Sequence, residues 1–332
     1  MFMFASQAQP QTPTPFSDVD FAALALPVAP PETPTFSGAI ARTPDSEPAV
    51  IESDKVIDIV GRTYDHFCNN RPDPSAFPQT AMEILRLLDE KNTSLSHISA
   101  AIRKDPAIAA HILRLANSSA FRASSPVDRL DLAILRIGVR EVSLVSAGVA
   151  SRTLFDGKTK KEYARYADAF NTLYRNSTTM AFASSWLALL TQKARPEKAF
   201  MASLLCDIGA SLALRSMCQV LGNERLTEDE VTRVVFLVHS MIGAEALLSF
   251  EVPDFLVRVC RDHHAPVLGS NVPEEMHLVR VVQGAMEWTS NPGASLATAT
   301  HSAQALGLDK ETLDSVPEAI TSSTERSSAL VM

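Results

Sequence analysis

The sequence predicts an all-α fold, and three observations predict it. Apolar residues recur at spacings of three and four through most of the chain, and no apolar stretch alternates with a period of two. Helix-start signals stand before many of the periodic segments. Aromatic residues are few, at 6%, while Ala and Leu are plentiful, a balance that favours helix.

In chain order, residues 1–47 are expected to be a disordered lead. Nine of the chain's twenty prolines fall in the first 48 residues, a density that disfavours helix and sheet. The apolar island FAALALPVA at 21–29 reads either as a collapsed patch or as a short docking motif. Over 48–70, Val56, Ile57, Val60, Tyr64 and Phe67 lie at helical spacing and predict an amphipathic helix, which the prolines of NRPDPSAFP then stop. Short helices follow. TAMEILRLLDE is one, Ser94 or Ser96 caps LSHISAAIRK, and Asp105-Pro106 starts IAAHILRLAN. Asp at the cap accepts free amides, and Pro in the first turn lacks a donor that would go unmet. Asn117-Ser118 ends that helix. Leu130–Ile137 is another, closed by Gly138. DGKTKK at 156–161 reads as a solvated turn, since it lacks the pattern of a phosphate loop.

Beyond it, 161–192 is a long helix or two in line, and Pro196 opens the next. Thr227 and Glu230 form a capping box, and Pro253 and Pro273 open two more helices. From Asn291 to Met332 the pattern fades to a short helix near 310 and a polar tail.

The segment AFMASLLCDIGASLAL at 199–214 is small and apolar almost throughout, and reads as one buried helix. Asp207 is its single charge. A buried carboxylate is costly unless a cation, a metal or several donors meet it, so something must face Asp207.

Composition narrows the rest. The chain has 332 residues, 46% apolar, enough for a sizeable core. A formal charge of −8 argues against a nucleic-acid or anionic-membrane surface. The cysteines, Cys68, Cys206, Cys218 and Cys260, form no metal or disulfide spacing and read as reduced thiols of a cytoplasmic protein. The N-terminus has no basic leader, and no run is read as long enough to span a bilayer. Cys206 reads as a small buried hydrophobe, His97 and His111 as rim groups, and Trp186 and Trp288 as core or groove anchors.

DPAIAAHILRLANSSAF followed by LDLAILRIGVREV, and then LYRNSTTMAFASSWLALL, AFMASLLCDIGASLAL, VHSMIGAEALLSFEVPDFL and RDHHAP, resemble the HDOD domain over about 75–290. The resemblance implies a helical N-terminal half (75–155) and an HD-like half (161–290), flanked by the lead and by a tail at 291–332. HDOD domains are similar to HD and HD-GYP phosphohydrolases but are generally taken as non-catalytic signalling modules. By that resemblance the first metal-binding His falls on Asn176, the His of the His-Asp pair on Cys206, and the closing Asp on Gln283. Asp207 is retained. His239 and one of His263 and His264 match further His positions, and the GYP signature is absent, replaced by APVLGSNVP.

Those exchanges matter chemically. A two-metal hydrolytic centre needs converging hard or borderline ligands and a bridging carboxylate. Asn and Gln offer neutral amides, and Cys is soft. The expectation is therefore a non-catalytic regulatory module that binds signalling proteins of two-component or cyclic-di-GMP pathways, with no cofactor and no nucleic-acid or membrane partner. Two alternatives stand beside it. One is a residual phosphohydrolase with zinc or another divalent ion on Asp207, His239 and His264. The other is a nucleotide-sensing domain. Adjacent helical residues point ~100° apart, so only one of His263 and His264 is expected to face inward.

Overall fold

The computed structural model describes residues 53–72, 79–89, 94–118, 121, 125–156, 161–266, 268, 269, 271–290 and 296–331. The expected disordered lead, its apolar island and most of the 156–161 turn lie outside them. All regular structure among the described residues is helical.

The N-terminal half contains α2 (Gln79–Asp89), α3 (Leu95–Arg103), α4 (Pro106–Ala116), α5 (Leu130–Ile137) and α6 (Val139–Ser151). Its caps follow from local chemistry. The Asp105 carboxylate accepts from the amides of Ala107 and Ile108 at 2.9 and 3.2 Å. Ser94 caps α3. Gly138 takes φ 97° between α5 and α6, a conformation that favours glycine. Asn117 donates to the carbonyls of Leu113 and Val127 and accepts from the Val127 amide, so it ties the end of α4 to the approach of α5. His111 departs from its expected rim position. It is buried beside Arg114, and burial lowers its pKa. His97 is exposed.

Two 3-10 turns, Arg152–Phe155 and Lys161–Tyr166, lead into the second half. It comprises α7 (Ala167–Thr191), α8 (Pro196–Cys206), α9 (Ile208–Leu221), α10 (Glu228–Ser249), α11 (Asp254–Asp262), α12 (Glu274–Ser290), α13 (Ala297–Leu306) and α14 (Lys310–Val331). The Thr227–Glu230 capping box opens α10. The first helix, α1 (Asp54–Asn69), precedes the N-terminal half in sequence yet packs on α9 and α10. Lys55, Arg62 and Arg71 pair there with Glu230, Glu224 and Glu245.

Three expectations are corrected. The stretch 199–214 is two helices, not one. Asp207 sits at the break with φ −102° and ψ 16°, and its side chain is thereby released from the helical stack. The C-terminal tail is helical, and α14 lies along α7. Its buried face mixes Leu313, Val316 and Ile320 with Ser323 and Ser327, and the serines interrupt the apolar period. Ser327 shares a hydrogen bond with Thr178, and the Arg326 guanidinium stacks 4.2 Å from the Phe182 ring. Third, two segments, Pro196–Leu221 and Glu228–Ser249, are long and apolar enough to cross a membrane by length and composition alone. Both serve the protein core here, the first broken at Asp207.

The tightest contact joins α9 to α10. A Cβ on Gly209 would meet the His239 carbonyl oxygen at 1.8 Å and the Gly243 amide nitrogen at 2.5 Å. These are backbone atoms, so no rotamer change relieves the clash. Gly209→Ala is therefore expected to cost about 3 kcal/mol, the upper end for overpacking, read as a lowered denaturation midpoint. Gly61→Ala, where nothing lies within 4 Å of the new Cβ, is expected to stabilise α1 by about 0.5–1 kcal/mol.

Candidate functional site

The break after α8 and the close approach of α9 and α10 bring four ionisable side chains together. Asp207 stands at the break, His239 on α10, and His263 and His264 in the turn that follows α11. One ligand atom from each lies within 4.8 Å of all the others. His263 Nε2 is 3.1 Å from Asp207 Oδ1, and His239 Nε2 is 3.5 Å from the same oxygen. The two Nε2 atoms are 3.4 Å apart.

Backbone carbonyls decide which ring nitrogen carries the proton. His239 Nδ1 donates to the Phe236 carbonyl at 2.8 Å, and His263 Nδ1 donates to the Cys260 carbonyl at 2.9 Å. In the neutral rings both Nε2 atoms then present lone pairs to the Asp207 carboxylate. Ser240 Oγ, at 3.2 Å from His239 Nε2, is the donor available to that atom. His263 Nε2 and Asp207 Oδ1 face each other as two acceptors, and only a proton or a cation between them makes the contact favourable.

Both histidines of the pair face inward, which corrects the sequence reading. His263, whose amide still bonds helically to the Val259 carbonyl, and His264 beyond the helix end both bring a ring nitrogen to the cluster at Asp207. The rings of His263 and His264 are 4.1 Å apart.

The predicted exchange positions divide. Gln283 is at the site, its Nε2 3.2 Å from His264 Nε2 and donating to Glu287 Oε1 at 3.1 Å. Cys206 is fully buried next to Asp207, its Sγ donates to the Ser203 carbonyl at 3.2 Å, and burial with the neighbouring Asp207 charge pushes the thiol pKa far up, so it stays a protonated thiol. Asn176 is exposed on α7 and makes no hydrogen bond to the cluster. Sequence reasoning missed Glu287 and Arg280, which share the face of α12 with Gln283. The i, i+3, i+7 spacing from Arg280 was the available signal. It also missed Phe236, 48% exposed, whose ring lies 5.2 Å from that of His264 at the mouth of the site.

Burial pushes the Asp207 carboxyl upward, but a proton carried on His263 Nε2 and shared with the carboxylate, together with positive charge on the surrounding histidines, outweighs it and holds the group well below the usual carboxylate range. Burial lowers His239, and burial with the neighbouring His263 takes His264 down to about 3. The signs agree. The unfolded chain binds protons on these histidines below its ordinary value of 6.5 while the native site refuses them, so stability is lost as pH falls. In chelator-treated protein, unfolding free energy is expected to drop between pH 6.5 and about 3, by up to roughly 1.4 kcal/mol per pH unit for each histidine kept neutral. His264→Asn is expected to flatten that slope in urea titrations at stepped pH.

Comparisons with known proteins bear on the fold. A candidate metal-dependent phosphohydrolase of Shewanella amazonensis SB2B superposes with TM-score 0.60 at 20% identity, covering 82% of this chain and 100% of its own. An HDOD domain protein of unknown function from Geobacter sulfurreducens gives TM-score 0.59 at 16% identity, covering 83% and 99%. A candidate signal transduction protein of Marinobacter aquaeolei VT8 gives TM-score 0.55 at 18% identity, covering 83% and 67%. A search of curated proteins finds no match. The sequence profile of the HDOD domain matches residues 75–266, more than half of the chain, and the chain belongs to the HDOD domain family.

Proposed function

We propose that this chain is a non-catalytic regulatory module of a bacterial signalling pathway, and that its HD-derived centre holds one divalent ion as a structural clamp. The observation that carries the second part is the spacing of the donor atoms. Ligand atoms about 2.0–2.1 Å from a tetrahedral zinc lie roughly 3.3–3.4 Å from one another. Asp207 Oδ1, His239 Nε2 and His263 Nε2 are separated by 3.1, 3.4 and 3.5 Å, close to one face of such a tetrahedron. His264 supplies a fourth donor. Three imidazoles and one carboxylate suit zinc and its borderline neighbours, and the Nδ1-to-carbonyl bonds orient the rings as in other metal-binding histidines. This geometry supports the single-ion alternative over a cofactor-free core. When bound, the ion would supply the positive charge that the converging lone pairs require.

The non-catalytic reading rests on what the site lacks for a second ion. Cys206 is a buried protonated thiol, Asn176 is exposed without a bond to the cluster, and Gln283 is a neutral amide. One carboxylate on one ion does not make the bridged pair that HD hydrolases use. The working surface is then the outside of the fold. Leu132 and Leu135, 42% and 64% exposed on α5, offer apolar area to a partner. The partners we infer are two-component or cyclic-di-GMP signalling proteins in the cytoplasm, and the formal charge of −8 argues against nucleic acid or an anionic membrane as the partner.

Metal analysis of purified protein tests the reading. It is expected to find about one zinc-type ion per chain, and Asp207→Asn to remove most of it and lower the melting temperature. Neither protein is expected to hydrolyse bis-p-nitrophenyl phosphate or a cyclic dinucleotide above the blank. Turnover that disappears in Asp207→Asn would replace this reading with the phosphohydrolase one.

A further inference from the structure

The most costly group in the protein lies one helix turn from Gln283. Arg280 is 2% exposed, and none of its Nε, Nη1 and Nη2 atoms has a hydrogen-bond partner. Among the described residues no carboxylate pairs with it. Burial alone brings its pKa down to about 10, so it remains charged at neutral pH. A buried, unpaired cation with all its donors unmet is a strong demand for an anion.

The neighbouring groups have the same character. His277, one turn earlier on α12, is half-buried, and its Nδ1 also lacks a partner. Burial and the positive field of Arg280 and His301 take its pKa down to about 4. His301, on α13, is exposed. His277 and Arg280 thus stand one turn apart on α12 with unmet nitrogen donors, and His301 on α13 is near enough for its charge to act on His277.

We propose that Arg280, His277 and His301 form an oxyanion site that takes a phosphate group. A carboxylate would be satisfied by the guanidinium fork alone. A tetrahedral oxyanion keeps oxygens free for the two imidazoles after the fork is engaged. The site neighbours the Asp207 centre, since the Arg280 charge helps to lower His264, but its three donors are none of the four that meet at Asp207.

Thermal melting and calorimetry on the full chain after chelator treatment test the proposal, with inorganic phosphate, phenyl phosphate and chloride as probes. Inorganic phosphate is expected to raise the melting temperature of the wild type by several degrees. Arg280→Met is expected to melt no lower than the phosphate-free wild type and to ignore phosphate, because it removes an unpaired buried charge. His277→Phe, which keeps the guanidinium, is expected to bind phosphate roughly tenfold more weakly. Asp207→Asn is expected to respond as the wild type does. A response to phenyl phosphate as well as phosphate identifies a site for the phosphoryl group of a larger ligand, and a response to phosphate alone identifies a site for the free ion. The proposal is overturned by a wild type that ignores phosphate, by an Arg280→Met protein that still responds, or by an equal effect of chloride. A response seen only after metal loading would also overturn it, since phosphate would then be a ligand of the ion.

Discussion

Three lone-pair atoms aimed at one point are the constraint on which the rest of this structure depends. Asp207 Oδ1, His239 Nε2 and His263 Nε2 lie 3.1–3.5 Å apart, with the protons of both rings drawn away to backbone carbonyls. Such a convergence is repulsive unless positive charge occupies it. The fold goes to some length to impose it. The chain breaks at Asp207 to free the carboxylate, Gly209 and Gly243 let α9 and α10 touch backbone to backbone, and α11 stops one residue before its double histidine. The Cys260 thiol fills the space beside Gly243, where a Cβ would meet its sulfur at 2.5 Å. Small residues at this junction thus allow His239 on α10 to approach Asp207 at the start of α9.

This arrangement separates two properties that metal hydrolases combine. Gripping an ion needs several donors in one place, and hydrolysis needs a second ion or an activated water held against a substrate. On the reading proposed above, Asp207, His239, His263 and His264 would meet the first requirement, while the neutral amide that Gln283 brings to His264 falls short of the second. An ion held there would tie α10, α11 and the α8–α9 junction together. Arg280 then stands out as charge that scaffolding does not need, which is why it points to a ligand.

Much of the fold was legible in the sequence because its signals are local. Asp105 before Pro106, Thr227 with Glu230, and Gly138 between two periodic segments each satisfy or release a backbone group within a few residues, and all appear in the structure as read. Asp207 was legible as the one charge in an apolar stretch, and Gln283 as a position beside the site. What escaped depends on packing. The break at Asp207 leaves no proline or glycine at the residue itself. The helical tail was hidden because Ser323 and Ser327 occupy its buried face, where small size against α7 matters more than hydrophobicity. The inward turn of both His263 and His264 depends on where α11 ends, and Arg280 reads as a surface residue until α13 is placed over α12.

Nitrogen NMR of the histidine rings tests the central claim most directly. In chelator-treated protein, His239 and His263 should each show a protonated Nδ1, held by the Phe236 and Cys260 carbonyls. One equivalent of zinc should then shift the Nε2 signals of these two rings and leave their Nδ1 protons in place. Rings found bare at Nδ1, or Nε2 signals that an equivalent of zinc does not move, would contradict the account.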